Sequence, residues 1–181
     1  MTSVGSMYGK ALYLLACENG SCEETLATLQ TIRGILEENP AYVSLLDSPT
    51  VQVQERLDAV KSAFAGTDET VLNLLCLLTE KRHMKHFGAA ANEFERSYDT
   101  DNGILKVTAI TTVPLSEKQK EAIAAKLITE IPETKKVMIS NKIDASILGG
   151  LILQYAGKQT DASLALQLKT LQEKITSAAL H

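Results

Sequence analysis

Apolar residues recur at helical spacing through the first hundred positions. Residues 7–17 are apolar with no internal Pro, and Asn19-Gly20 stops that run. Ser21 with Glu24 has capping-box spacing, and Leu26, Leu29, Ile32 and Leu36 then share one helical face. Asn39-Pro40 ends this helix and restarts the chain into a short one over residues 42–46, and Ser48-Pro49 repeats the punctuation. Val53, Leu57, Val60 and Phe64 follow i, i+4, i+7, i+11 up to Gly66. Asp68 opens a helix running to about residue 81. Met84, Phe87, Ala91, Phe94 and Tyr98, spaced 3, 4, 3, 4, make the sixth. Helices joined by such short connections form a compact bundle.

The period changes at Asp101-Asn102-Gly103. Leu105, Val107, Ala109, Thr111 and Val113 alternate onto one face of a β-branched run that Pro114 ends. Ser116 with Gln119 is a second capping box, ahead of a helix lined by Ile123, Leu127 and Ile131 and stopped by Pro132. Residues 136–140 read as a short strand, 147–156 as a longer one containing Gly149-Gly150, and 157–161 as a turn. Ser163 begins a final helix carrying Leu164, Leu168, Leu171, Ile175 and Ala178. The expectation is an α+β chain of two domains: a six-helix bundle over residues 1–102, then a small β-α-β-β-α domain over residues 103–181.

Composition narrows the function without choosing one. The 181 residues are 45% hydrophobic and 22% charged, ordinary values for a folded globular chain. A net charge of −4 and 4% aromatics without Trp argue against a nucleic-acid partner, which needs clustered cations or stacking rings. The start lacks both the basic-then-apolar order of a secretion signal and the Arg of a transit peptide. No run approaches the ~18 apolar residues that suggest a membrane span. Three Cys, without a framework spacing, fit a reducing cytoplasm.

Candidate chemistry is sparse. Gly157-Lys158 lacks the earlier Gly and the following Ser or Thr of a phosphate loop, and reads as a hairpin turn. Gly149-Gly150 within an apolar strand reads as a bulge or close backbone approach. His83 and His86 are one helical turn apart, but Cys76 lies two turns before His83, about 10.5 Å away along one helix and out of reach of a shared ion. Cys17 and Cys22 flank a Gly turn with no second pair to complete a metal site. Asp144 with Ser146, and Asp161 with Ser163, read as backbone caps. No catalytic, metal or cofactor site is expected.

Two helices carry more apolar surface than one core requires. In the helix from Asp68, one face holds Leu72, Cys76 and Thr79, another Val71, Leu74, Leu75 and Leu78, and Leu77 lies between. In the first helix Tyr8, Ala11, Leu12 and Leu15 follow one face, while Met7 and Leu14 point elsewhere. Such helices are either central to the core or, side by side, make a groove for an amphipathic partner.

These segments resemble the δ subunit of the F-type ATP synthase, the family of the oligomycin-sensitivity-conferring protein, over essentially the whole chain. Tyr8-Gly9-Lys10-Ala11-Leu12-Tyr13 is similar to the family's Tyr-Ala-x-Ala-Leu-aromatic start, with Gly9 in place of Ala. The apolar helix ending near Lys81-Arg82, and Pro114-Leu115-Ser116, resemble later family segments. Asp144-Ala145-Ser146-Ile147-Leu148-Gly149-Gly150, then Asp161-Ala162-Ser163 and Leu168-x-x-Leu171, resemble the family's Asp-x-Ser-x-x-Gly-Gly strand and Asp-x-Ser helix start. Tyr155-Ala156 and the lack of basic residues after Ser163 depart from it.

The resemblance implies a non-catalytic stator part at the cytoplasmic face of the bacterial membrane, without membrane insertion of its own. Its helical domain would hold the N-terminal helix of an ATP synthase α subunit in a groove of Tyr8, Ala11, Leu12, Leu15, Leu72, Cys76 and Thr79. Its second domain would meet the C-terminal region of the peripheral-stalk b subunit, with Leu168 and Leu171 as the chosen contacts. The rival readings are a free cytoplasmic helix-binding adaptor and a small enzyme with a helical cap.

Overall fold

The computed structural model describes residues 4–145, 150–155 and 158–161. It has a mixed α+β fold whose chain divides into two compact units, Met1–Tyr98 and Asp99–His181. The first unit is helical: α1 (Val4–Asn19), α2 (Cys22–Glu38), α3 (Pro40–Leu46), α4 (Val53–Ala63), α5 (Glu69–Glu80), a 3-10 turn (Met84–His86) and α6 (Phe87–Asp101), whose last residues cross into the second unit. Its core gathers the apolar stripe of each helix: Leu29 and Ile32, Leu46, Val60, Leu75 and Leu78, Phe87 and Phe94 are all buried. Each such side chain contributes about 1.5–3 kcal/mol by leaving water. Tyr13 meets Phe94 edge-to-face at 5.4 Å, a favoured aromatic geometry.

The helix ends show why the chain turns where it does. At the end of α1, Gly20 takes φ +69°, and Ser21 N–H and Gly20 N–H donate to the carbonyls of Ala16 and Cys17. This is the paired closure that glycine permits at a helix C-terminus. Asp68 caps α5 by accepting from Thr70 N–H at 2.6 Å. Ser21 precedes α2 without a side-chain cap bond, so the expected Ser21–Glu24 box does not form; its φ of −110° and ψ of 20° are not the extended pair an N-cap uses. The expected helix from Met84 splits, with residues 84–86 wound as a 3-10 turn whose first amides donate to the Asp47 carboxylate at 2.8 and 3.2 Å.

The second unit contains β1 (Ile104–Thr111), α7 (Glu117–Glu130), β2 (Lys136–Ile143), β3 (Leu151–Tyr155) and β4 (Lys158–Asp161) in one sheet of order β2-β1-β3-β4. β1 pairs in parallel with β2, which requires a crossover such as α7, and antiparallel with β3. Val107, Ala109 and Thr111 alternate into the buried face, and Leu127 of α7 is buried too. The Ser116–Gln119 box forms as read, with Ser116 Oγ accepting from Gln119 N–H and the side-chain Oε1 of Gln119 accepting from Ser116 N–H.

Three further points, all in the second unit, differ from the sequence reading. Residues 158–161, read as part of a turn, form β4, a polar strand held by pairing with β3. β2 extends three residues beyond Ser140, because the Asn141 side chain ties it to β1: its Nδ2 donates to Ala109 O and Thr111 Oγ1, and its Oδ1 accepts from Leu115 N–H. Val113, expected on the inward face, is 66% exposed, since β1 ends at Thr111. Ser146, Gly149, Ser163, Leu168 and Leu171, with the expected final helix, lie outside the described residues.

Candidate partner-docking face

The position of α1 is set by residues that lack side chains. Gly5 and Gly9, four apart, face α6. A Cβ at Gly5 would stand 2.6 Å from Ala89 Cβ and 2.8 Å from His86 O, and one at Gly9 would run into the Ala90 carbonyl. With Gly5, Gly9, Leu12, Tyr13 and Ala16 turned inward, the opposite side of α1 is left to solvent. That side is apolar. Val4, Met7, Ala11 and Leu14 fall at i, i+3, i+7, i+10, with Leu15 and Tyr8 beside them. Met7 is 61% exposed, Leu14 56% and Leu15 45%.

α5 packs on α1 and presents the other flank. Its buried residues are Val71, Leu74, Leu75, Leu78 and Thr79, and Leu72 and Cys76 are half-buried against the core. Of the seven groove residues read from the sequence, Ala11 and Leu15 are exposed, and Tyr8, Leu72 and Cys76 are half-buried. Leu12 at 6% and Thr79 at 0% are buried; they belong to the wall behind the surface. Met7 and Leu14, read as pointing elsewhere than the face of Tyr8, Ala11, Leu12 and Leu15, are exposed beside it. They extend it around the outer side of α1, and their heptad spacing with Val4 and Ala11 was the available signal.

The far end of α5 is held by groups the sequence did not flag. Arg82 takes φ 55° and His83 N–H donates to Leu78 O, closing the helix as glycine usually does. Arg56 of α4 is fully buried, and its guanidinium donates to the C-terminal carbonyls of two helices, Leu46 O at 2.7 Å and Thr79 O at 2.8 Å. A cation there also faces the negative ends of both helix dipoles. No spacing distinguishes Arg56 from a solvated helical Arg, so only packing reveals it. Tyr8 leans on the His83 ring at 6.3 Å, and His83 meets His86 at 5.6 Å.

In the second unit a cavity of about 460 Å³ opens between the end of β1, the start of α7 and the start of β3, lined by Thr111, Val113, Leu115, Gln119, Ile123 and Leu151. It is mostly apolar and carries no nucleophile–base pair. Among the described residues no three His, Cys, Asp or Glu gather as metal ligands, and no helix is long and apolar enough to cross a membrane. Asp144 donates its backbone N–H to Thr111 O, which anchors the exit of β2. Gly150 takes φ +95°, a conformation natural to glycine.

The family model described as "ATP synthase delta (OSCP) subunit" matches residues 4–175. The chain is 30% identical over 176 residues to "ATP synthase subunit delta" of Flavobacterium psychrophilum, covering 97% of this chain and 98% of that one. It is 28% identical over 174 residues to "ATP synthase subunit O, mitochondrial" of Ipomoea batatas, covering 95% and 71%. Its fold is similar to a chain in the Toxoplasma gondii mitochondrial ATP synthase hexamer, with a TM-score of 0.72, 22% identity, and coverage of 96% and 98%.

Proposed function

The chain belongs to the ATP synthase delta (OSCP) family, and on that premise we propose that it is the non-catalytic stator subunit joining the catalytic head of a bacterial F-type ATP synthase to its peripheral stalk. The helical bundle, residues 1–102, binds the N-terminal helix of an α subunit. The β-α-β-β-α domain, residues 103–181, meets the C-terminal region of the b subunit. The protein sits at the cytoplasmic face of the membrane as a peripheral component.

The observation that carries this reading is the apolar face of α1. An amphipathic helix recognises a groove through anchors at i, i+3, i+4 and i+7, and needs exposed apolar side chains in a matching row. Val4, Met7, Ala11, Leu14 and Leu15 supply such a row, and Tyr8, Leu72 and Cys76 supply its inner edge. The physical task is mechanical. A subunit attached at two places resists rotation of the head only if both attachments hold, and the close seating of Gly5 and Gly9 on α6 makes α1 a firm base for one of them.

The test is calorimetric binding of the full chain to catalytic head prepared with and without the α-subunit N-terminal helices. The expected result is tight binding to the intact head and its loss when those helices are removed. Unchanged binding to the truncated head overturns the proposal. Co-purification with neither head nor b subunit would support the free-adaptor reading instead.

A further inference from the structure

Cys17 and Cys22 stand on either side of the α1–α2 corner, and the docking role leaves their thiols unused. Their Sγ atoms are 2.8 Å apart. A covalent S–S bond is about 2.05 Å long, so closing it requires an approach of roughly 0.8 Å. The intervening turn is open on its outer side: Gly20 holds φ +69°, with nothing within 4 Å of where a Cβ would stand. Cys17 is exposed and Cys22 half-exposed, so a small reagent reaches the pair.

We propose that Cys17 and Cys22 are a reversible dithiol–disulfide couple, closed by exchange with a low-molecular-weight disulfide. One thiolate attacks a sulfur of the small disulfide, forming a mixed disulfide and releasing one small thiol. The second cysteine thiolate then attacks the protein sulfur of that mixed disulfide, forming the Cys17–Cys22 bond and releasing the second small thiol. The two cysteines are oxidised together, the small disulfide is reduced to two thiols, and the two cysteine protons end on those thiols. The bridge ties the last turn of α1 to the first turn of α2 and leaves the row from Val4 to Leu15 uncovered.

The experiment equilibrates the full chain in glutathione buffers of graded ratio, quenches with acid, and labels remaining thiols with a maleimide after denaturation. The reduced chain is expected to take three labels. The oxidised chain should take one, located on Cys76 by peptide mapping, with a linked peptide joining Cys17 to Cys22. Cys17→Ser is expected to yield no linked peptide at any ratio. Three labels at every ratio, glutathione retained on one cysteine in place of the bridge, or a bridge that includes Cys76 would overturn the proposal.

Discussion

A Cβ added at Gly9 would collide with the Ala90 carbonyl and stand 2.8 Å from Glu93 Cβ. Overpacking at such a contact costs about 1–3 kcal/mol or more, and Val returns only a few tenths through helix propensity. Gly9→Val is therefore expected to lower stability by about 2 kcal/mol, read from the urea midpoint. Arg82 shows the opposite case. Its φ of 55° costs an L-residue about 1–2 kcal/mol, so Arg82→Gly is expected to raise stability by about 1 kcal/mol in the same assay. The phenolic oxygen of Tyr42 is buried without a hydrogen-bond partner among the described residues, and burial raises its pKa above 10.0. The folded state then keeps a proton that the unfolded state loses as pH rises past 10.0, so stability falls with pH in that range. Tyr42→Phe should flatten that alkaline loss, measured as the urea midpoint between pH 9 and 11.

The elements separate residues that hold the fold from those that face outward. Met7→Gln with Leu14→Gln changes two exposed positions of α1 and is expected to alter stability by less than about 0.5 kcal/mol. Binding to the catalytic head should weaken at least tenfold, which calorimetry would resolve. Leu72 packs against the core, so a change there mixes binding with stability. Removing the Ser116 cap by Ser116→Ala should cost the second unit about 0.5–2 kcal/mol by thermal melting. Much of this level was legible beforehand. The helices announced themselves by period and punctuation, and the Ser116–Gln119 cap by its spacing, because these are local signals. β4 was not legible: Lys158, Gln159, Thr160 and Asp161 have no apolar alternation, and their strand exists through pairing with β3. The outward face of α1 was half legible. An apolar helix does not say which side it buries; here Gly5, Gly9 and Ala16 decide it, and a small-residue row was the overlooked sign.

Across the whole molecule, the boundary between compact units after Tyr98 falls inside α6. A fragment of residues 1–102 keeps α6 entire and is expected to melt as one helical transition by circular dichroism. A fragment ending at residue 86 lacks the surface on which Gly5 and Gly9 rest, and should show no cooperative melt. The same contact bears on how the protein is made. Gly5 meets Ala89, and Gly9 meets Ala90 and Glu93, across more than eighty residues of chain. Synthesis proceeds from the N-terminus at about 5–20 residues per second. α1 is made before α6 and therefore waits several seconds for that seat, with its outer apolar side open to water. Whatever shields nascent chains in the cell has work to do at α1, which is locked in place only after α6 has been made.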